Sequence, residues 1–336
     1  MARSVAVFER LPPSDFTPAV RIVSGRKVVV CRNGIVLGLG VNPWQMIYAM
    51  PKALLTSTAI GLASVLRRGW ANPSGNARFG FIHSPWTAGY YHWLTESLPR
   101  SLVLRELHPE AIPLLPSQKY APYVESLKAI GFDRVDFFPD SKNAICSDCA
   151  FTDSPTRFAT TDPRLLKRMK EVIFQNIRLS ADEPASEIVY VSRRKARGRR
   201  VLNEPELLAS IADLGVREVA FEDLSFVEQV RLMAKTRLLI GIHGAGLTNL
   251  MFMPTGGSVI ELLPKRHSLF DFNASRFSFR HDACYLRLAT DMGISHHHLE
   301  GRALNSAWKK THMANITIDP QDFRQTVETA LHKSNL

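Results

Sequence analysis

A chain of 336 residues, 45% hydrophobic and 22% charged, has an ordinary globular composition and can hold two domains that each bury a core. Its 42 basic and 31 acidic residues leave a net charge of +11, so anionic partners are expected: nucleotide diphosphates, anionic lipid surfaces or nucleic acid. The four cysteines (Cys31, Cys146, Cys149 and Cys284) exclude a disulfide scaffold, and the lone C-x-x-C of Cys146 and Cys149 is read as reduced thiols rather than a closed zinc site.

The N-terminal MARSVAVFERLPPSD has no continuous apolar run, so no signal peptide is expected and the protein is expected to be cytoplasmic. Residues 19–41 alternate apolar runs with turn signals, and Asn33-Gly34 between KVVVC and IVLGLG predicts a hairpin in a β-rich N-terminal portion. Ala53–Leu66 reads as a core helix too short to span a bilayer. Its basic flanks, Lys52 and Arg67-Arg68, keep a membrane-contacting helix as the alternative.

A strand over Arg78–His83 leads into a helix carrying GYYHWLTESLPR, in which His92 and Glu96 are four apart and share a face. A histidine early in a helix after a strand can point into the crevice where α/β sheets bind ligands; the plainer role for Glu96 is to orient a buried His92. Pro99 should end or kink this helix, with Leu102–Leu107 continuing it. Strands at Ile112–Leu115 and Arg134–Phe138, with a helix from Pro122 to Ile130 between them, suggest a parallel sheet. The Ser/Thr/Asp/Pro-rich stretch from Thr152 to Pro163 marks the expected boundary between domains 1–160 and 161–336.

The second domain begins with a helix from Pro163 to about Leu179 and a loop over Ser180–Ser186. A strand over Glu187–Val191 then runs into six basic residues between Arg193 and Arg200, at the strand end where doubly wound folds collect phosphates. Nucleic acid is the rival ligand, but the run lacks interleaved aromatics. A helix from Asn203 to about Leu214, a strand over Val216–Ala220 and a helix over Ser225–Lys235 with a Ser225/Glu228 capping box follow.

Leu238 to Glu261, LLIGIHGAGLTNLMFMPTGGSVIE, is the centre of the chain. It reads as strand, tight Gly244-Ala245-Gly246 loop, short helix stopped at Pro254, and second strand ending in Glu261. Free N–H groups at such a helix start form an anion site, and the glycines let backbone approach a ligand. Beyond Pro264, Phe270, Phe272, Phe277 and Phe279 are read as core, Ala283–Leu288 as a strand, His296-His297-His298 as a polar loop rather than a metal site, and Pro320–His332 as a terminal helix.

Three blocks, GYYHWLTESLPR (Gly89–Arg100), YVSRRKARGRRVLNE (Tyr190–Glu204) and GIHGAGLTNLMFMPTGGSVIELLP, resemble glycosyltransferase family 61 in content and order. Together they cover most of Phe81 to Pro264. The resemblance implies a GT-B-like α/β fold, two Rossmann-like domains facing a central cleft, whose terminal helix commonly crosses back to the first domain. It also implies inverting, metal-independent transfer from a nucleotide sugar, UDP-linked in the leading version, to a glycan or glycolipid in capsular or other surface polysaccharide synthesis. No cofactor and no nucleic acid are expected, and peripheral contact with an anionic membrane is allowed for. The missing Asp-x-Asp agrees with metal independence, because arginines and a helix dipole can neutralise a diphosphate. Arg193 or Arg194 becomes the leading diphosphate ligand, ahead of Arg199 and Arg200. His243, Gly244, Ala245, Gly246, Asn249 and Glu261 are assigned to the donor, with Asn249 and Glu261 addressing the loop and the ribose. His92 with Glu96 is assigned the base; Glu96 itself and His243 stay open as alternatives. A non-catalytic anion or nucleic-acid binder using the same crevice is the competing function.

Overall fold

The computed structural model describes residues 20–31, 35–37, 51–73, 77–84, 86–116, 123–152, 156–157, 160–180, 184–196, 198–265, 284–304 and 314–334. Among them two separate mixed sheets organise the chain. The first contains β1 (Val20–Val30), β2 (Val36–Leu37), β3 (Gly69–Ala71), β4 (Phe79–Phe81), β5 (Ile112–Pro116), β6 (Asp136–Phe138) and β7 (Lys142–Thr152). Its order is β2-β1-β7-β4-β5-β6, with β3 beside β7. β1 is antiparallel to β2 and β7, whereas β4, β5, β6 and β7 are joined in parallel pairs. The Val30↔Val36 pairing is that of the expected hairpin, and its Asn33-Gly34 turn lies outside the described residues.

A small antiparallel pair, β8 (Thr156–Arg157) and β9 (Thr160–Thr161), occupies the segment read as a domain boundary. The second sheet contains β10 (Glu187–Val191), β11 (Val216–Val219), β12 (Thr236–Ile242), β13 (Ser258–Pro264), β14 (Ser295–Leu304) and β15 (Asn315–Thr317). Its order is β11-β10-β12-β13-β14-β15, parallel except for the last pair. Val/Ile/Leu-rich strands such as IVYV and LLIGI suit a parallel sheet buried on both faces.

The described α-helices are α1 (Pro51–Arg67), α2 (residues 90–107), α3 (Val124–Ala129), α4 (Pro163–Asn176), α5 (Glu204–Ser210), α6 (Phe226–Ala234), α7 (Cys284–Met292) and α8 (Pro320–Lys333). Ala245–Phe252, read as a short helix, is a 3₁₀ helix. Helix α6 carries the full capping box: Glu228 N–H donates to Ser225 Oγ while Ser225 N–H donates to the Glu228 carboxylate.

Pro99 neither ends nor breaks α2. A π-helical turn over Trp93–Ser97 precedes the α segment Leu98–Leu107, so the helix runs on. Proline has no N–H to offer the Thr95 carbonyl four residues back, and Thr161 Oγ1 on β9 donates to it instead, at 2.5 Å. Trp93, fully buried, donates from Nε1 to Ser126 Oγ at 2.8 Å; truncating so large a core aromatic costs about 3–5 kcal/mol.

Three expectations after Pro264 are corrected. Ala283–Leu288 is not a strand: Tyr285, Leu288, Ala289 and Met292 are buried at i, i+3, i+4 and i+7, the spacing of an apolar helix face, and they form α7. His296-His297-His298 is not a loop but part of β14, paired in register with Val259, Ile260 and Glu261. Helix α8 does not cross back: Phe323, Val327 and Ala330 pack with Leu238, Ile260 and Ile316 of the second sheet. The four phenylalanines from Phe270 to Phe279 lie outside the described residues.

One apolar cluster is shared by both sheets' layers. It joins Ile82, Trp93, Leu94 and Leu98 to Val189, Val191, Leu239, Leu250 and Val259. Helix α2 and the 3₁₀ helix therefore meet on a packed core, and the side chains at its rim are held in fixed relation.

Candidate active site

On the second sheet, the register Gly241↔Glu261 and the two-residue period of strands put His243, just beyond β12, on the same face as Glu261. The neighbouring register Val259↔His296 puts His296 on that face as well. Glu261 Oε1 lies 2.5 Å from His243 Nδ1, and Oε2 lies 2.9 Å from His296 Nε2. Only 1% of the Glu261 side chain is exposed, so both oxygens are committed and none is left for a ribose. Burial pushes its carboxyl group up, but hydrogen bonds from His243 and His296 outweigh that and hold it below the usual carboxylate range.

The opposite wall is the first turn of α2. His92 Nδ1 lies 2.6 Å from Glu96 Oε1, and this pair is more open, with 34% of His92 and 12% of Glu96 exposed. Tyr91 stands edge-on to His92 and to Tyr285 of α7, and Tyr285 stands edge-on to His243, with centroids 5.4, 5.7 and 5.2 Å apart in turn. The two histidines border one aromatic cluster. Burial raises the phenols of Tyr91 and Tyr285 well above their usual range, so neither is an acid or base near neutral pH.

Tyr90, one residue earlier, ties the walls together. Its hydroxyl lies 2.8 Å from Asn249 Oδ1 and 3.0 Å from Gln229 Oε1, and Asn249 Nδ2 donates to the same Gln229 oxygen at 2.8 Å. Gln229 Nε2 donates onward to the carbonyls of Phe221 and Leu224. Asn249 is fully buried in this network, which makes it a structural tie rather than a group that reaches a ligand.

The basic run divides. Arg194 pairs with Glu218, and Lys195 with Asp223, on exposed surface. Arg193 turns inward instead: a Cβ built on Gly244 would stand 2.8 Å from its Nη1, so glycine there leaves the guanidinium its place. Arg199 joins it, donating from Nη1 to the His243 carbonyl at 3.3 Å from a left-handed backbone (φ 55°), an uncommon conformation for so large a side chain. The Nε atoms of Arg193 and Arg199 are buried with no hydrogen-bond partner among the described residues. Burial and then the nearby Arg199 lower the Arg193 pKa, the mark of cationic groups set close together.

Beside Arg193 opens a cavity of about 380 Å³, between α2 and the carboxyl ends of β10 and β12. Tyr90, Trp93, Ser192, Phe221, Gln229 and Gly246 line it. The Gly246 position is closed to a side chain, since a Cβ would meet Val191 Cγ1 at 3.1 Å. Among the described residues no group of three or more His, Cys, Asp or Glu side chains is arranged to hold a metal ion.

The structure thus brings Arg193, Ala245 and Gly246 to one cavity, with Gly244 against Arg193. It joins the His92–Glu96 pair to His243 through Tyr91 and Tyr285, buries Glu261 and Asn249, and places Arg194 on the exterior. Tyr91, Tyr285 and His296 were not singled out from sequence. Tyr91 adjoins His92 in the quoted block, and the apolar spacing of α7 would have placed Tyr285 on its inner face.

An α/β protein with a cavity beside inward-turned arginines and two histidine–glutamate pairs joined by an aromatic cluster is the class these features define. The family model described as Glycosyltransferase 61 matches residues 90–260, half of the chain, and the chain belongs to that family. It is 35% identical over 117 residues to the EGF domain-specific O-linked N-acetylglucosamine transferase of Drosophila melanogaster, across 33% of this chain and 22% of that protein. The dog protein of the same name is 25% identical over 165 residues, 47% of this chain and 28% of its own. Protein O-linked-mannose beta-1,4-N-acetylglucosaminyltransferase 2 of Xenopus tropicalis is 30% identical over 102 residues, 30% of this chain and 18% of its own. The chain spans under a third of the length of each of these relatives.

Proposed function

We propose that the chain is an inverting glycosyltransferase that moves a sugar from a nucleoside diphosphate donor to a hydroxyl of a glycan or lipid-linked acceptor. The observation that carries this reading is the pair of half-buried arginines, Arg193 and Arg199, converging on the Gly244 loop with buried Nε atoms that have no hydrogen-bond partner among the described residues. Partly buried cations set close together with unmet donors are costly, and a diphosphate satisfies them with charge-assisted bonds. The start of the Ala245–Phe252 helix adds free N–H groups to the same place. The cavity beside Arg193 has room for the nucleoside, and a GT-B-like closure of the two walls is the expected arrangement.

In this reading His92 takes the proton of the acceptor hydroxyl, while Glu96 holds its Nδ1 and stabilises the imidazolium that forms. Arg193, Arg199 and the helix start stabilise the charge that develops on the departing diphosphate. His243 sits on the donor side of the Gly244 loop. No metal is assigned a part, because the sequence lacks Asp-x-Asp and the cations stand in its place. A plain binding protein would have no use for an accessible base held by a carboxylate.

The relatives' names make UDP-N-acetylglucosamine the first donor to test. Those names point to O-linked glycans on proteins, whereas the resemblance to capsular enzymes points to surface polysaccharide; in both, the acceptor is a sugar or protein-glycan hydroxyl. We place the reaction in the cytoplasm, at a membrane surface: Leu55, Leu62, Leu66 and Trp70 are exposed beside Arg67 and Arg68, and no helix among the described residues is long and apolar enough to cross a membrane. The test is nucleoside diphosphate release from a panel of nucleotide sugars with oligosaccharide and glycolipid acceptors. Release above background with one donor supports the reading; none with any, from folded protein that also fails to bind nucleotide, ends it.

A further inference from the structure

Three strands deliver His243, Glu261 and His296 to one buried point, and the donor reading gives a task to the first of them alone. Glu261 accepts from both imidazoles, one on each oxygen. A carboxylate held below its usual range is anionic, so the histidine atoms facing it, His243 Nδ1 and His296 Nε2, carry the protons. With Nδ1 committed, His243 has Nε2 left over, and no hydrogen bond to that atom occurs among the described residues. Tyr285 packs edge-on against the same ring. His296 is 8% exposed, too enclosed to reach a substrate. His297 points to the other face, where the positive charge of Lys333 is felt; the alternation leaves His296 and His298 on the Glu261 face, and it is His296 that makes the contact.

We infer that His296 is a positioning residue for sugar transfer, acting through Glu261 to fix His243 as the Nδ1–H tautomer with Nε2 free toward the donor. The physical reason is that a carboxylate with one empty oxygen can turn. With Oε2 pinned by His296, Glu261 has one orientation, and so has the imidazole on Oε1. Without His296, Oε2 is a buried acceptor with no donor, and the carboxylate rotates or draws in water to recover one. A histidine whose ring can flip presents either nitrogen, and only one presentation places Nε2 for the donor.

This inference rests on the glycosyltransferase reading, and its test separates the two. Histidine ring ¹⁵N–¹H spectra of the full chain, with His243 assigned by comparison with His243→Gln, report the tautomer without any turnover. The wild type and His296→Gln, whose amide can still donate to Oε2, should both show Nδ1 of His243 protonated. His296→Phe should show a mixture of tautomers, and Glu261→Gln, which offers a donor in place of an acceptor, should shift His243 toward Nε2–H. Turnover should follow: kcat falls up to about a hundredfold in His296→Phe and Glu261→Gln, nucleotide affinity falls with it because His243 is the donor-side contact, and both stay close to wild type in His296→Gln. If His296→Phe does not fold, Glu261→Gln against His296→Gln decides the matter by the same two readouts. An unchanged His243 tautomer in Glu261→Gln, or equal loss of kcat in folded His296→Gln and His296→Phe, overturns the relay. Fixed tautomers in a protein that transfers no sugar would leave the relay standing and overturn the enzymatic reading instead.

Discussion

Two histidine–glutamate pairs of nearly equal length, 2.6 Å and 2.5 Å, border one aromatic cluster and are built in opposite ways. His92 and Glu96 lie four apart on one helix, at the rim, and Glu96 has Ser84 Oγ as a distant second neighbour at 3.5 Å. His243 and Glu261 come from adjacent strands, and Glu261 is sealed in and saturated by a third strand's His296. The open pair can meet a bulky acceptor and return its proton to solvent. The closed pair cannot exchange freely and is suited to holding one ring in one state. In the proposed reading, equal geometry with unequal burial separates a base from a fixed ligand-side contact.

The largest effect that sharpens this comparison is at the open pair. His92→Ala should lower kcat by about a hundredfold or more, the usual scale for loss of a general base, measured in single-turnover transfer. Next comes the cation set on the closed side. Arg193→Ala should weaken nucleotide binding by about 1.5–3 kcal/mol in calorimetry, with Lys restoring only part of it. Arg194→Ala should leave binding unchanged, since that side chain is engaged with Glu218 on the exterior. Gly244→Ala should also weaken binding without unfolding the protein, because the new Cβ displaces only the flexible end of Arg193.

A smaller effect concerns acid stability. The Glu261 carboxyl is depressed in the folded state, so its stabilisation is complete above the ordinary value of 4.5 and is lost as pH falls through the depressed value. Urea midpoints at pH 7 and pH 3 should fall further in wild type than in Glu261→Gln, which has no carboxylate to protonate. An equal fall would detach Glu261 from the acid response. The smallest effect is that of EDTA, which should leave transfer rates unaltered; a strict need for added Mg²⁺ or Mn²⁺ would contradict the part given to the arginines.

The open pair was legible in sequence because helical spacing is local: four residues apart means one face. The His243–Glu261 partnership was half legible, since a histidine after one strand and a glutamate ending the next share a face once the strands are adjacent and parallel. His296 was not legible. Its partner is 35 residues away; the β13–β14 register excludes His297, and only the side-chain contact itself separates His296 from His298. Arg193 and Arg194 could not be told apart from the chain alone, because which of two consecutive side chains turns inward depends on the space left by Gly244. The strand predicted for Ala283–Leu288 failed for a different reason: its window was too short to show the helical period that Ala289 and Met292 complete. Beyond Pro99 the helix continues through Leu107, as expected, but the π turn before it and the Thr161 hydroxyl on the Thr95 carbonyl, a contact across 66 residues, were not legible.

The central claim is that the two histidines divide acceptor and donor between them. Calorimetric titration of UDP and UDP-N-acetylglucosamine into His92→Ala and His243→Ala, beside the wild type, tests it most directly. Nucleotide affinity should remain near wild type in His92→Ala and fall in His243→Ala. Equal affinities in the two variants, or a loss confined to His92→Ala, would contradict the division.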